Sequence, residues 1–312
     1  MIRRSEIRKD FIVDRYVIIS PRRNLRPHQY PQTILEGQHS TTKQACVFCP
    51  HNIDHVKPLA HVGPAKERWK MKVIKNIFPA VSLDNPKAYG LQEVVIETPD
   101  HTKQLDALPT RHVAKLFEVY AERTHVISKN RKIEYILIFK NSGGNAGASI
   151  EHSHSQVFAT NFIPPQLLHR SERAREHKLR TRHCAYCDMI AWEERSSRVV
   201  YRDKIVSIFC PYASENNYEI WMLPRRHIDN ITLMNKQERF AFARHLKRIL
   251  EKITRLRLPY NFYFHQVVND EDQHLYLKIR PRGSIWAGVE IGSGVIINAI
   301  PPEAAARYFR DP

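Results

Sequence analysis

GASIEHSHSQVFAT, residues 147–160, sets His152, His154 and Gln156 at every second position, directly after the glycine-rich loop NSGGNAG. Successive side chains of a β-strand point to opposite faces, so these three share one face with Ile150 and Phe158. The preceding IEYILIF also reads as a strand, and the NSGGNAGAS loop joins the two as an antiparallel pair. A strand that lines up two imidazoles and an amide predicts a sheet that carries chemistry.

Outward from this strand, one order of features occurs twice. The first pass runs CVFC (46–49), VIKNIFPAV, EVVIETPDH ending at His101, RHVAKLFEVYAERTHVISKN, IEYILIF and HSHSQ. The second runs CAYC (184–187), VSIFCPYAS, EIWMLPRRH ending at His227, KQERFAFARHLKRILEKI, NFYFHQVV and HLYLK (274–278). Glu93 precedes His101 by eight residues, and Glu219 precedes His227 by eight. That shared interval favours a duplicated domain, with halves at 1–170 and 171–312. VVIET, YILIF, IEHSHSQVFA, VVYR, IVSIF, EIWML, FYFHQVV and HLYLKI predict strands. Helices are predicted near 111–130 and 236–256, with Thr110 and Asn235 as N-caps. Each half is then a mostly antiparallel sheet with one long helix, an α+β class.

A chain of 312 residues has room for a large core and two ordinary domains. Its longest apolar runs fall short of the roughly 18 to 20 residues that span a membrane, and MIRRSEIRKD lacks the apolar segment of a signal peptide. The expectation is a soluble, cytoplasmic protein with no membrane partner. A formal charge of +17 attracts phosphate-bearing partners, whether nucleic acid, nucleotides or sugar phosphates. The basic clusters RSERAREHKLRTRH and RHLKRILEKITRLRL read as solvated helix faces, and no heptad, arginine–glycine tract or low-complexity segment supports a dedicated nucleic-acid binder.

Cys46 with Cys49 and Cys184 with Cys187 form two C-x-x-C pairs, which favour thiolate metal sites over disulfides, with a redox pair as the lesser reading. Cys210, in IFCPY, reads as a packed thiol. Zinc takes thiolate and imidazole in a tetrahedral shell. The first half offers Cys46, Cys49, His101 and one histidine of HSHSQ, and the second offers Cys184, Cys187, His227 and His274. One strand histidine on the metal leaves its neighbour free. Neutral imidazole is already nucleophilic at physiological pH and suits attack on phosphorus. Gln156 would then hold a phosphate oxygen or orient the ring, and the amides of residues 142–149 would form an anion-binding nest. In the second half Tyr276 replaces His154, Lys278 replaces Gln156 and NDEDQ replaces the glycine loop, so that half can keep metal but not this chemistry.

From SPRRNLRP through IFPAV, ETPDH, FKNSGGNAGAS and HSHSQ to GVEIGSGVIIN, the chain resembles the galactose-1-phosphate uridylyltransferase family of the histidine-triad superfamily. The resemblance implies duplicated histidine-triad-like domains and ping-pong transfer of a nucleotidyl group. It implies His154 as nucleophile, His152 as a zinc ligand beside Cys46, Cys49 and His101, and Gln156 as the group that steadies phosphoryl oxygens. It places Asn141 and Ser149 around the nucleotide phosphates, Asn76 and Phe78 at the nucleoside, Arg23 and Arg26 near the sugar phosphate, and Glu290 at the hexose. Ile296 stands where the galactose-specific branch has a hexose-contacting glutamine. The second C-x-x-C set and the EIGSG tail look more like the branch containing ADP-glucose phosphorylase.

The leading expectation is therefore a UDP-glucose:hexose-1-phosphate uridylyltransferase acting on a nucleotide sugar and a sugar 1-phosphate. Phosphorolysis of ADP-glucose or of a dinucleoside polyphosphate is the enzymatic alternative. A zinc-stabilised nucleic-acid-binding protein is the alternative of another class. Two zinc ions per chain are expected, with iron possible at the second site, and a homodimer is expected because family members complete each site with a neighbour's residues.

Overall fold

The computed structural model describes residues 4–25, 42–64 and 68–311. Its strands are β1 (Glu6–Lys9), β2 (Tyr16–Ile19), β3 (Ala60–Val62), β4 (Met71–Lys75), β5 (Gly90–Ile96), β6 (Tyr135–Ser142), β7 (His154–Thr160), β8 (Val199–Arg202), β9 (Val206–Phe209), β10 (Ile220–Pro224), β11 (Tyr260–His265), β12 (Tyr276–Pro281) and β13 (Ile296–Asn298). Its α-helices are α1 (Pro50–Ile53), α2 (Thr110–Ser128), α3 (Pro165–Thr181), α4 (Ala185–Glu193), α5 (Lys236–Arg255), α6 (Gly288–Ser293) and α7 (Pro302–Arg310).

Ten strands form one antiparallel sheet in the order β3-β4-β5-β7-β6-β11-β12-β10-β9-β8. Read inward from either edge the connectivity is the same, so the sheet carries a pseudo-twofold axis at the β6–β11 seam, where Phe139 pairs with Tyr263. Gln156 lies between Val94 and Phe139, and Lys278 lies between Trp221 and Tyr263. The register therefore makes β12 the counterpart of β7, with Tyr276 at His154 and Lys278 at Gln156. One sheet face packs under α2 and α5 around a core that includes Val95, Val157, Phe262, Phe264 and Leu277. The opposite face bears the two candidate sites.

This register corrects the sequence reading at one point. Glu93 and Glu219 share an interval to the following histidine but point to opposite faces. Glu93 lies under α2, where Arg123 donates two hydrogen bonds to it, 2.8 and 2.7 Å. Glu219 accepts from the Trp221 indole at 2.8 Å and pairs with Lys278 at 3.0 Å on the other face. Ile220 is the true counterpart of Glu93, because Val94 faces the site side as Trp221 does, and one residue fewer separates β10 from His227.

Local signals hold at one long helix and fail at the other. Asn235 caps α5 with a complete capping box, its Oδ1 accepting from the Glu238 amide and its amide donating to Glu238. Thr110 is instead the first residue within α2, behind Pro109, with no side-chain cap. The proline has the extended conformation of an N-cap residue and no side-chain oxygen to offer. β7 begins at His154 and not at Ile150, because residues 147–153 remain loop.

A second sheet joins the chain ends, with β2 central, β1 antiparallel to it and β13 parallel. It lies on the second half. Arg8 reaches the Tyr212 carbonyl and Glu303, and Ile12 and Val13 pack with Ala185 and Tyr186. The basic run 170–183 forms most of α3, whose Arg173, Arg175 and Lys178 meet Glu176, Asp270 and Asp272. No helix among the described residues is long and apolar enough to cross a membrane.

Candidate active site

The turn before α1 and the loop ahead of β7 converge on four ligand-type side chains. Cys46, Cys49, His101 and His152 each offer one donor atom, all within 4.8 Å of one another. Cys49 Sγ lies 3.5 Å from His101 Nδ1 and 3.7 Å from His152 Nδ1, and Cys46 Sγ lies 3.6 Å from His152 Nδ1. Sulfur at about 2.3 Å and nitrogen at about 2.05 Å from one tetrahedral ion lie about 3.5 Å apart, so the donors sit on the edges of such a shell. The His152 Nε2–H donates to the Thr98 carbonyl at 2.7 Å, which fixes the tautomer and leaves Nδ1 as the ligand atom. Burial, and then the Cys46 thiol beside it, push the Cys49 thiol up to about 11. A cation between them reverses that cost. These residues can bind a metal ion.

His154 is the next side chain on this face. Its Nδ1–H donates to the His152 carbonyl at 2.8 Å, so the Nε2 lone pair is the free one. Burial, and then the nearby Lys140 cation, lower its pKa and keep the ring neutral. The Phe48 ring meets it edge-on, 5.2 Å between centroids.

Under the strand lies a buried polar network that the sequence reading missed. Lys140 donates to Glu97 (2.8 Å), Ser153 Oγ (3.1 Å) and the His154 carbonyl (2.9 Å). The Tyr120 hydroxyl donates to Ser155 Oγ at 2.6 Å. The two serines of HSHSQ thus anchor the strand from behind while its even-numbered residues face the cleft. Such a network spans elements far apart in the chain and leaves no local periodicity.

Gln156 accepts from Gln92 Nε2 at 2.7 Å, so its own NH₂ remains to donate. Gln92, also missed, accepts from the Ala80 amide at 3.2 Å, and its carbonyl accepts from the Asn76 amide at 2.9 Å. The Asn76–Phe78 turn is thereby tied to the cleft: Asn76 Oδ1 accepts from the Phe78 amide, and the Phe78 ring is 86% exposed. Asn141 holds the glycine loop through Gly147 O (3.4 Å) and Asn261 (2.8 Å). Ser149 is exposed on that loop. The nest expectation needs correcting, since the amides of 146, 147 and 148 already donate to the carbonyls of Gly143 and Gly144. Gly143 is required here: its φ is +87°, and a Cβ would lie 2.8 Å from Pro259.

Two of the remaining sugar-site candidates are described, and both lie on other elements. Arg23 follows β2 in a 3-10 turn on the small sheet. Glu290 caps its own helix α6, accepting from the Ala287 amide at 3.0 Å. Neither has a hydrogen bond or ion pair to residues 152–156 among the described residues. Arg26 lies outside the described residues. Ile296 is core, packed with Val17, Ile19 and Ala213.

The second half gathers three of its four predicted ligands, Cys184, Cys187 and His227, with Cys187 Sγ 3.5 Å from His227 Nδ1. His274 meets His227 edge-on at 5.1 Å, much as His152 meets His101 at 5.5 Å. Its Nδ1 is turned to the Leu275 carbonyl (3.0 Å), however, and its buried Nε2 has no partner. His274 therefore stands beside the cluster and not in it. Beyond it Tyr276, in the place of His154, stacks on Trp221, 4.4 Å apart and 3° from parallel, so this strand presents no second imidazole there. Cys210 is a buried core thiol, as expected.

The geometry has relatives. Residues 1–164 match the family described as galactose-1-phosphate uridyl transferase, N-terminal domain. The chain is 30% identical to ADP-glucose phosphorylase of Arabidopsis thaliana over 98% of this chain and 92% of that one, and 28% identical to galactose-1-phosphate uridylyltransferase of Thermotoga maritima over 98% of each. Among solved structures, the Arabidopsis ADP-glucose phosphorylase with bound ADP-glucose superposes with a TM-score of 0.87 at 29% identity, covering 99% of both chains. A uridylyltransferase superposes at 0.75 and 26% identity, covering 98% of this chain and 97% of the other. With the family match, the duplicated sheet and a free imidazole beside a Cys₂His₂ cluster in hand, the chain belongs to the galactose-1-phosphate uridylyltransferase family and is a nucleotidyltransferase.

Proposed function

We propose that the chain transfers a nucleotidyl group from a nucleotide sugar through a covalent intermediate on His154, with UDP-glucose as donor and a hexose 1-phosphate as acceptor. The observation that carries this reading is the hydrogen bond from His154 Nδ1–H to the His152 carbonyl, which directs the Nε2 lone pair into the cleft. Nε2 attacks the α-phosphorus, the bond from that phosphorus to the bridging oxygen breaks, and a sugar 1-phosphate leaves with the electron pair. A phosphate oxygen of the second sugar 1-phosphate then attacks the same phosphorus and the N–P bond breaks. The NH₂ of Gln156, oriented by Gln92, donates to the non-bridging oxygens as charge develops.

Zinc is the ion that best suits Cys46, Cys49, His101 and His152, and a second zinc, or iron, suits Cys184, Cys187 and His227. His274, whose buried Nε2 has no hydrogen-bond partner, is the candidate fourth ligand of that second set. Cys46, Cys49, His101 and His152 would hold the ion, which would tie the C-x-x-C turn to the loop ahead of β7. The chain itself does the rest, since the peptide of His152 holds His154. The halves at 1–170 and 171–312 then divide into a catalytic unit and a supporting one. Arg23, Arg26 and Glu290 would serve the cleft of a second copy in a cytoplasmic homodimer.

A second reading keeps the same histidine and changes the pocket: ADP-glucose as donor and phosphate as acceptor. It is favoured by the similarity to ADP-glucose phosphorylase and by Ile296 in the core. Intact-protein mass spectrometry after incubation with UDP-glucose or ADP-glucose tests both. A uridylyl adduct that is absent from His154→Ala supports the first reading and an adenylyl adduct the second. No adduct from either donor, in folded and metal-loaded protein, overturns covalent transfer.

A further inference from the structure

We infer that the chain carries a second anion pocket, over β12 of the second half, built to take a phosphate dianion. The pocket is the pseudo-twofold counterpart of the catalytic cleft. Where β7 presents His154, Gln156 and Phe158, β12 presents Tyr276, Lys278 and Arg280. In the row of paired residues across the sheet, Gln156, Phe139, Tyr263 and Lys278 are neighbours in turn, so three strand spacings, about 14 Å, separate the two sites.

A cavity of about 180 Å³ opens above Lys278, roofed by α3 and the 13–15 segment. Four cations line it: Arg15, Arg170, Lys278 and Arg280. Glu215 pairs with Arg15, Lys278 (3.4 Å) and Arg280 (3.6 Å), and Glu219 pairs with Lys278. Asp14, also at the rim, is drawn away to Lys9 and Arg173. With Asp14 set aside, these four cations exceed the two carboxylates paired with them by two, and the charge of Asp10 acts on Arg170 from beyond the lining.

The surplus has free donors. Arg170 is 8% exposed and has no ion pair among the described residues. Its Nη1 has no hydrogen-bond partner, and the Trp221 ring lies 5.9 Å from its guanidinium. Arg280 Nε and Nη2 are likewise buried without hydrogen-bond partners. Arg170 without an ion pair, and the Arg280 donors that its 3.6 Å pairing with Glu215 leaves without a hydrogen bond, are costly in a buried site unless an anion satisfies them, and their forked donors match phosphate oxygens. Pockets for drug-sized ligands start near about 300 Å³, so this one suits a single phosphoryl group and not a whole nucleotide sugar.

The phosphoryl group could come free, as inorganic phosphate, or on a hexose. Titration calorimetry with inorganic phosphate and, separately, glucose 1-phosphate distinguishes these sources, using full-length metal-loaded protein, Gln156→Ala, and the double variant Arg170→Gln/Arg280→Gln. Phosphate should bind the wild type and Gln156→Ala alike, and the double variant at least about tenfold more weakly. If only glucose 1-phosphate shows that pattern, the phosphoryl group arrives on the sugar. Phosphate and glucose 1-phosphate both binding the double variant as tightly as wild type, or neither binding at all, overturns the pocket. Should the double variant fail to fold, wild-type crystals soaked in arsenate must show anomalous arsenic signal between Arg170 and Arg280, and signal confined to the cleft beside His154 rejects the proposal. Adduct formation at His154 is read separately, so failure of the catalytic reading leaves this test intact.

Discussion

β7 and β12 occupy matching places in the sheet and differ in almost every side chain. Behind β7 lie Glu97, Lys140, Ser153, Ser155 and Tyr120, hydrogen-bonded to one another and to the strand. At the corresponding places behind β12 lie Pro224, Phe264, Leu275, Leu277 and Leu246, all buried and apolar. The Arg123–Glu93 pair under α2 likewise becomes Ile249 and Ile220 under α5. Two halves with one topology thus solve burial differently. An apolar core is the simpler solution, because buried ion pairs seldom improve stability over apolar packing. The polar network is kept where a backbone carbonyl and an imidazole must be held in one geometry, and the half without a nucleophile lacks it.

The largest test of this contrast is His154→Ala, which should lower nucleotidyl transfer by roughly four orders of magnitude or more. Tyr276→His with Lys278→Gln should add no activity to that variant, because Tyr276 belongs to an aromatic stack with Trp221 and His265. Turnover and adduct mass in the combined variant check both halves of the statement. Restored transfer would mean that side chains alone separate the halves.

The metal clusters come next. Cys46→Ser should remove one metal equivalent together with adduct formation, and Cys184→Ser should remove the other equivalent and leave the adduct intact. Elemental analysis alongside intact mass reads the two outcomes, and loss of both metals from either variant would break the division of labour.

Lys140→Met strands the Glu97 carboxylate and should destabilise the fold by about 3 to 5 kcal/mol in denaturant unfolding. Replacing both partners, Lys140→Met with Glu97→Met, should recover much of that stability, as the second half does with Phe264 and Pro224. Transfer should stay impaired, since the His154 carbonyl has lost its donor. A double variant that is stable and fully active would remove the positional role of the network.

Gln92→Ala frees the Gln156 amide and should lower kcat by about tenfold with KM little changed, as expected for a group that acts through the transition state.

The smallest effect concerns His245 on α5, which stands where α2 has Val119. Burial, and then Arg244 and Arg248, depress its pKa to about 4. Unfolded, the imidazole protonates below about 6.5, while the folded one stays neutral until about 4. Stability is therefore lost as pH falls through that window. The Tm of His245→Val should fall less than that of wild type between pH 7 and 4.5, and equal slopes would show that other groups dominate.

Some of this was legible in the chain. The alternation of HSHSQ marked a strand face, the two C-x-x-C pairs with His101 and His227 marked side-chain clusters that can hold a metal ion, and Asn235 marked a helix start. Each is a local pattern that survives in any packing. The matching interval from Glu93 and Glu219 misled, because a spacing in sequence is blind to one residue gained or lost in a loop, and in a strand one residue reverses the face. Lys140 reads in the chain as one more lysine among many.

By itself the sequence determined the residue types that can do chemistry here and the repeat that carries them, since strand period and ligand identity are properties of short segments. Tertiary structure alone decided which nitrogen of His154 is free, that Gln92 orients Gln156, that His274 stands aside from its cluster, and that Arg15 and Arg170 of the first half meet Lys278 and Arg280 over β12. These depend on contacts between segments tens to hundreds of residues apart, where sheet register and burial choose the partners.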